Sequence, residues 1–140
     1  MKGFSIVEIL VSLSIFSVFI AISFASYTQL EKFFYQRSAE EEIRTVLDRA
    51  RNLAIGINNG NGWSFRIEGD KAMIFLGNNY SSRDVGHDEF YDLPAKTTAT
   101  TTSDIYFNPM TGFISSSATT TISVSGSSTS VTISKYGIIK

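Results

Sequence analysis

This 140-residue sequence predicts an α+β fold, with one long N-terminal helix followed by an antiparallel β-sheet head. Three observations carry that expectation. Residues 9–25 form an apolar run broken only by serines. Apolar residues then recur at helical spacing as far as residue 57, with no proline or glycine between residues 4 and 55. Beyond that point, short segments of period two are separated by Asn, Gly, Pro and Ser clusters, as strands and turns are.

The helix comes first. From Gly3 to Leu30 the only charged side chain is Glu8. A helix rises about 1.5 Å per residue, so about twenty residues cross a hydrocarbon core. The run is long enough to span a bilayer, and Lys2 before it, with Glu31 and Lys32 after it, puts the N-terminus on the cytoplasmic side. A plain single-span anchor fits this run. So does a secretory signal peptide, with Ser23-Phe24-Ala25 as the small-x-small pattern before a cut. Neither accounts for Glu8, since a carboxylate costs about 2.5–3.5 kcal/mol at mid-membrane and less near the interface, and so tends to be kept for a partner.

The second half of the helix reads as amphipathic. Ile43, Val46, Leu47, Ala50, Leu53, Ala54 and Ile57 mark one stripe, and Leu30, Phe33 and Phe34 extend the same periodicity upstream. Glu40 with Arg44, and Arg44 with Asp48, are i,i+4 pairs on the wet side. The run Glu40-Glu41-Glu42 reads as a solvated face rather than an acidic docking patch. Asn58-Asn59-Gly60-Asn61-Gly62 ends the helix.

In the head, Trp63, Phe65 and Ile67 alternate with Ser64 and Arg66, as in a half-buried strand, and Gly69-Asp70 makes a hairpin turn into a second strand at 71–76. Residues 77–104 show no clear period. Further strands are expected at 105–107, 113–114, 121–124 and 131–134, separated by Asn108-Pro109 and Gly126-Ser127-Ser128. Between Thr97 and Ser134, 21 of 38 residues are Ser or Thr and only Asp104 is charged, which reads as a sheet with Ser and Thr on its outer positions.

Composition removes several classes of function. With no cysteine, disulfides, thiolate catalysis and Cys-based zinc sites are excluded. A single histidine, His87, cannot build a multi-histidine metal site in one chain. Asp84, His87, Asp88, Glu89 and Asp92 place five potential ligands, most of them carboxylates, close together, but their spacing lacks the alternation of a known calcium loop, and a polar loop is the favoured reading. No nucleophile or phosphate cradle accompanies His87, so no enzyme and no cofactor are expected. A net charge of −1, with only Lys135 and Lys140 as cations after residue 96, argues against nucleic acid, although Arg66, Lys71 and Arg83 would add to a patch if the fold gathered them.

The segment Met1-Lys2-Gly3-Phe4-Ser5-Ile6-Val7-Glu8, followed by its apolar run, resembles the leader and mature start of type IV pilins and type II secretion pseudopilins. The resemblance implies cleavage by a prepilin peptidase between Gly3 and Phe4, followed by N-methylation of Phe4. It also implies that Glu8, the fifth mature residue, meets the free amine of a neighbouring subunit's Phe4 during filament assembly. Ala50-Arg51-Asn52-Leu53-Ala54-Ile55, the Trp63 strand, Phe107-Asn108-Pro109 with Gly112, and Tyr136-Gly137-Ile138 look like the minor pseudopilin H and FimT group.

On that reading, residues 1–3 are the leader and 4–30 the transmembrane and assembly half of the helix. Residues 31–57 are its amphipathic half, and 58–140 the β-rich head. The implied role is a minor pilin or pseudopilin of a type IV pilus or type II secretion system. The alternative is a binding module, a DNA-uptake receptor or adhesin, on the same scaffold. The implied partners are the prepilin peptidase, other filament subunits, the inner-membrane assembly platform, and the bilayer before assembly. The implied location is the bacterial inner membrane, with the head outside, and then the filament.

Overall fold

The computed structural model describes residues 5–56, 60–124 and 126–140, Ala25 by its backbone. Its elements are one long helix, α1 (Ile6–Gly56), and strands β1 (Trp63–Glu68), β2 (Lys71–Leu76), β3 (Asp84–Asp92), β4 (Thr97–Thr101), β5 (Ile105–Phe107), β6 (Ala118–Val124) and β7 (Ser127–Ile133). The α+β class expected from the sequence is the class observed. The chain divides into two compact units, Met1–Phe34 and Tyr35–Lys140, with α1 contributing to both.

In the second unit, α1 from Tyr35 onward packs on two antiparallel sheets with strand orders β3-β2-β1-β5 and β4-β6-β7. Ala39, Ile43, Val46, Leu47, Ala50 and Ala54 lose all contact with solvent, and Leu53 is partly covered. From Ile43 to Ala54 this is the stripe that the periodicity marked; Ala39 joins it, whereas Leu30, Phe33 and Phe34, expected to extend it upstream, are exposed, and Ile57, Asn58 and Asn59 lie outside the described residues. Trp63, Phe65, Ala72, Ile74, Ile105 and Phe107 of the first sheet and Ile122, Val131 and Ile133 of the second join that stripe in a single core. Each such burial is worth about 1.5–3 kcal/mol for a large side chain.

The β1–β2 hairpin pairs Trp63 with Leu76 through to Glu68 with Lys71, and it turns at Gly69, whose φ of 65° suits a residue without Cβ. β2 reads as a continuous apolar run because both its faces are covered. Ala72 and Ile74 face the core, while Phe75 on the other side packs edge-on against Tyr80 with ring centroids 5.7 Å apart.

Four details depart from the sequence reading. Residues 77–104 hold a 3-10 turn (Tyr80–Ser82) and two strands, β3 and β4. β3 was illegible because it is an edge strand with mostly exposed side chains, so neither face is written in apolar residues. β4 alternates buried and exposed positions, but threonines occupy both kinds.

Residues 113–114 form no strand. Phe113 instead accepts through its carbonyl from Asn108 N–H, and Ile114 N–H donates to the Lys135 carbonyl. Ser127 and Ser128 belong to β7 rather than to the turn, pairing with Val124 and Ser123. Arg44 turns Nε and Nη2 onto Glu40 Oε1, at 3.1 and 2.9 Å, rather than onto Asp48.

The expectation for the Ser/Thr segment holds in part, since Thr97 and Thr120 are buried while most of the others face outward. Register brings Thr98 beside Ser123 and Ser128, and Thr100 beside Thr121 and Ser130, on the outward face. Ala99, Ile122, Val124, Val131 and Ile133 point inward and are buried.

Candidate functional site

The first unit is a helix without a core of its own. α1 starts where the Ser5 carbonyl accepts from the N–H groups of Glu8 and Ile9, at 3.0 and 3.2 Å. Glu8 stands in the first turn, where the positive end of the helix dipole favours a carboxylate. Ile9, Ser12, Leu13 and Phe16 line the same groove of helix surface. Among the described residues no cation pairs with Glu8. Gly3 and Phe4, the expected cleavage and methylation positions, lie outside the described residues.

Every large apolar side chain from Ile6 to Phe34 is more than half exposed. Eighteen residues of this helix average a hydropathy of 2.4 with none of that window buried, so the segment is long and apolar enough to cross a membrane. The serines do not spoil that surface. Ser14, Ser17, Ser23 and Ser26 donate their hydroxyls to carbonyls three or four residues earlier at 2.8–3.0 Å, which leaves no unpaired hydroxyl donor on them.

The residues considered for metal chemistry fall on β3 and are drawn apart by separate partners. Asp84 Oδ2 meets His87 Nδ1 at 2.9 Å at an exposed position. Asp88, with its side chain almost fully covered, meets Arg83 Nε at 2.9 Å. Asp92 pairs with Lys71. Glu89 takes both Nε and Nη2 of Arg49, at 2.5 and 2.8 Å, and also accepts from the Tyr91 hydroxyl at 2.6 Å.

The Arg49 hydrogen bonds hold the Glu89 carboxyl below the usual carboxylate range. Burial, then the bond to Glu89, pushes the Tyr91 hydroxyl up to about 12. Among the described residues, no three potential ligands converge on one point. Arg66 and Arg83 do meet, one guanidinium 4.4 Å and the other 3.8 Å from the centre of the Tyr80 ring. Each also faces a carboxylate, Asp104 for Arg66 and Asp88 for Arg83, so they form a neutralised stack. Lys71 stands apart on Asp92.

A second constellation lies where α1 ends. Met110 N–H donates to the Ala54 carbonyl at 2.9 Å, satisfying one of the carbonyls a helix leaves open at its C-terminus. A Cβ on Gly112 would come within 2.9 Å of Arg51 Cγ and Ile55 Cδ1, and its φ is 62°. Gly137, also at positive φ, lies close to Arg51 Nε and the Gly112 carbonyl. The three short motifs at 50–55, 107–112 and 136–138 are thus neighbours, and the two glycines leave room for Arg51. Their convergence was not legible in the sequence, which carries no signal pairing residues so far apart.

Residues 1–24 match the family model described as the prokaryotic N-terminal methylation motif. No curated protein matches the chain, and no solved structure matches it. The match spans Gly3, Phe4, Glu8 and most of the apolar run. The chain therefore opens with a type IV pilin-like leader, the kind of segment that a prepilin peptidase processes, and the apolar helix behind it is consistent with membrane anchoring.

Proposed function

We propose that the chain is a structural subunit, a minor pilin or pseudopilin of a type IV pilus or type II secretion pseudopilus. It is not an enzyme on this reading. A prepilin peptidase cuts between Gly3 and Phe4, and Phe4 is then N-methylated. The helix holds the subunit in the inner membrane, N-terminus cytoplasmic and head outside, until an assembly platform passes it into a filament. The head's three motifs support placing it near the minor pseudopilin H and FimT group.

The single observation that carries the proposal is Glu8. It is a carboxylate within a methylation motif, on a helix whose large apolar side chains are exposed, with no cation beside it among the described residues. In lipid or between apolar helices it needs a positive partner, and the amine freed at a neighbour's Phe4 is one. Bringing the charges together offsets the desolvation of both, and removing one partner of such a buried pair costs about 3–5 kcal/mol.

The test is incorporation. Glu8→Ala and Glu8→Leu are expected to enter the membrane and be processed normally, while the amount found in sheared filaments falls at least tenfold. Wild-type incorporation by both variants rejects the pairing.

A further inference from the structure

The second unit keeps most of its large apolar side chains inside; of the exposed ones, Val85 and Phe90 stand on the edge strand β3, and the other five lie together elsewhere. Ile55, Met110, Phe113, Tyr136 and Ile138 are each between 41% and 72% exposed. Contacts already described tie them together. Met110 is bonded to Ala54 beside Ile55, and Gly112 sits against Ile55 Cδ1. Phe113 and Tyr136 meet edge to face with ring centroids 5.7 Å apart, and Ile138 N–H donates to the Ser134 hydroxyl in the same closing turn. Met110 also holds a φ of 66°, a conformation that costs a non-glycine residue some strain and presents its side chain almost free of cover. A contiguous exposed apolar patch on a soluble head marks a protein contact.

The charges around the patch have one sign. Of the segments that build it, residues 50–56, 108–114 and 134–140, the only charged side chains are Arg51, Lys135 and Lys140, and Lys135 Nζ lies 4.9 Å from the centre of the Tyr136 ring. A fitting partner has an apolar face and an acidic flank. The chain itself carries one. Leu30, Phe33 and Phe34 are all more than half exposed on α1, and residues 31–44 hold four carboxylates against three cations, with Glu40 taken up by Arg44. Leu30, Phe34 and Glu41 share one helical stripe, and Glu41 is exposed.

We propose that the patch around Phe113 and Tyr136 of one copy receives the 30–41 stretch of α1 from a second copy. The inference rests on the filament reading and names a contact within it. The two surfaces differ, so the contact is heterologous, and such contacts propagate into open helical assemblies rather than closing as dimers. The aromatic pair supplies the apolar anchor, and the basic rim sets orientation against the acidic run of the incoming helix.

The chain contains no cysteine, so cysteines can be placed at will. Arg37→Cys, between Phe34 and Glu41, and Ile138→Cys, at the edge of the patch, spare the aromatic anchors. A short bis-maleimide is added to filaments from cells producing the full-length protein. The double variant is expected to give a ladder of multimers, a mixture of the two single variants to give dimers and nothing larger, and each single variant alone to give no product. Phe113→Glu is expected to reduce the ladder at least tenfold while the N-terminus is still processed.

Cross-linking by Ile138→Cys alone, meaning patch on patch, overturns the proposal. So does a double variant that reaches the filament without forming a ladder, or a ladder unaffected by Phe113→Glu. Failure of the filament reading itself is seen separately, as an N-terminus that is never processed.

Discussion

One helix serves two regions that use the same apolar chemistry in opposite ways. Before Phe34 its large apolar side chains all face outward, and after Tyr35 its apolar stripe is sealed against two sheets. The later part finds its nonaqueous surroundings within its own chain. The earlier part finds none among the described residues, and it is long and apolar enough to cross a membrane. Glu8 belongs to the same region, and among the described residues no cation stands beside it.

The sharpest way to separate the regions is to truncate one aromatic in each. Phe107→Ala, in the sealed core, is expected to destabilise the head by about 3–5 kcal/mol, whereas Phe16→Ala leaves the head's stability unchanged. Thermal unfolding of the full chain in detergent, followed by near-ultraviolet circular dichroism, reads both. A comparable loss from Phe16→Ala would mean that the first region contributes to the head's core, and the comparison would fail.

Next in size is a charge placed in each region. Val18→Arg is expected to cost about 2.5–3.5 kcal/mol of membrane insertion, shifting the protein from the membrane to the soluble fraction. Thr121→Lys, on the outward face of β6, changes neither fractionation nor fold, and the head's midpoint moves by less than about 0.5 kcal/mol.

The smallest effect is a pH dependence confined to the head. Glu89 is held below the usual carboxylate range by Arg49, so the stability it confers is present above that range and is lost as pH falls through its lowered value. Glu89→Gln is expected to flatten this acid limb of the unfolding curve, with a slightly lower midpoint at neutral pH and little change at the acid end. Tyr91 has the opposite sign. Its hydroxyl is raised, so its contribution persists below the ordinary tyrosine range and fades as pH climbs toward about 12. An absorbance titration should show Tyr91 ionising late, together with Tyr80, whose bond to Glu68 also raises it, and Tyr91→Phe should remove part of that late phase.

What the sequence disclosed depended on how strongly a segment's burial was one-sided. The stripe from Ile43 to Ala54, the β1–β2 hairpin and β5 were legible because apolar and polar positions alternate at the period of their element. β3 was hidden, since an edge strand of charged residues looks like a loop until its partner strand is known. β4 was hidden because threonine serves on both its faces.

The candidate sites divide in the same manner. Glu8 stood out as the lone charge in an apolar run. The patch at Phe113 and Tyr136 depends on contacts between segments far apart in the chain, which no local pattern encodes. The acids of β3 looked clustered in sequence and are parted by the alternation of the strand and by Arg49, Lys71 and Arg83.

The central claim, that the opening helix is made to be finished by other copies after processing, is tested most directly by the intact N-terminal mass of protein recovered from its native membrane and filaments. The account predicts a chain beginning at N-methyl-Phe4. A chain that still begins at Met1 contradicts it.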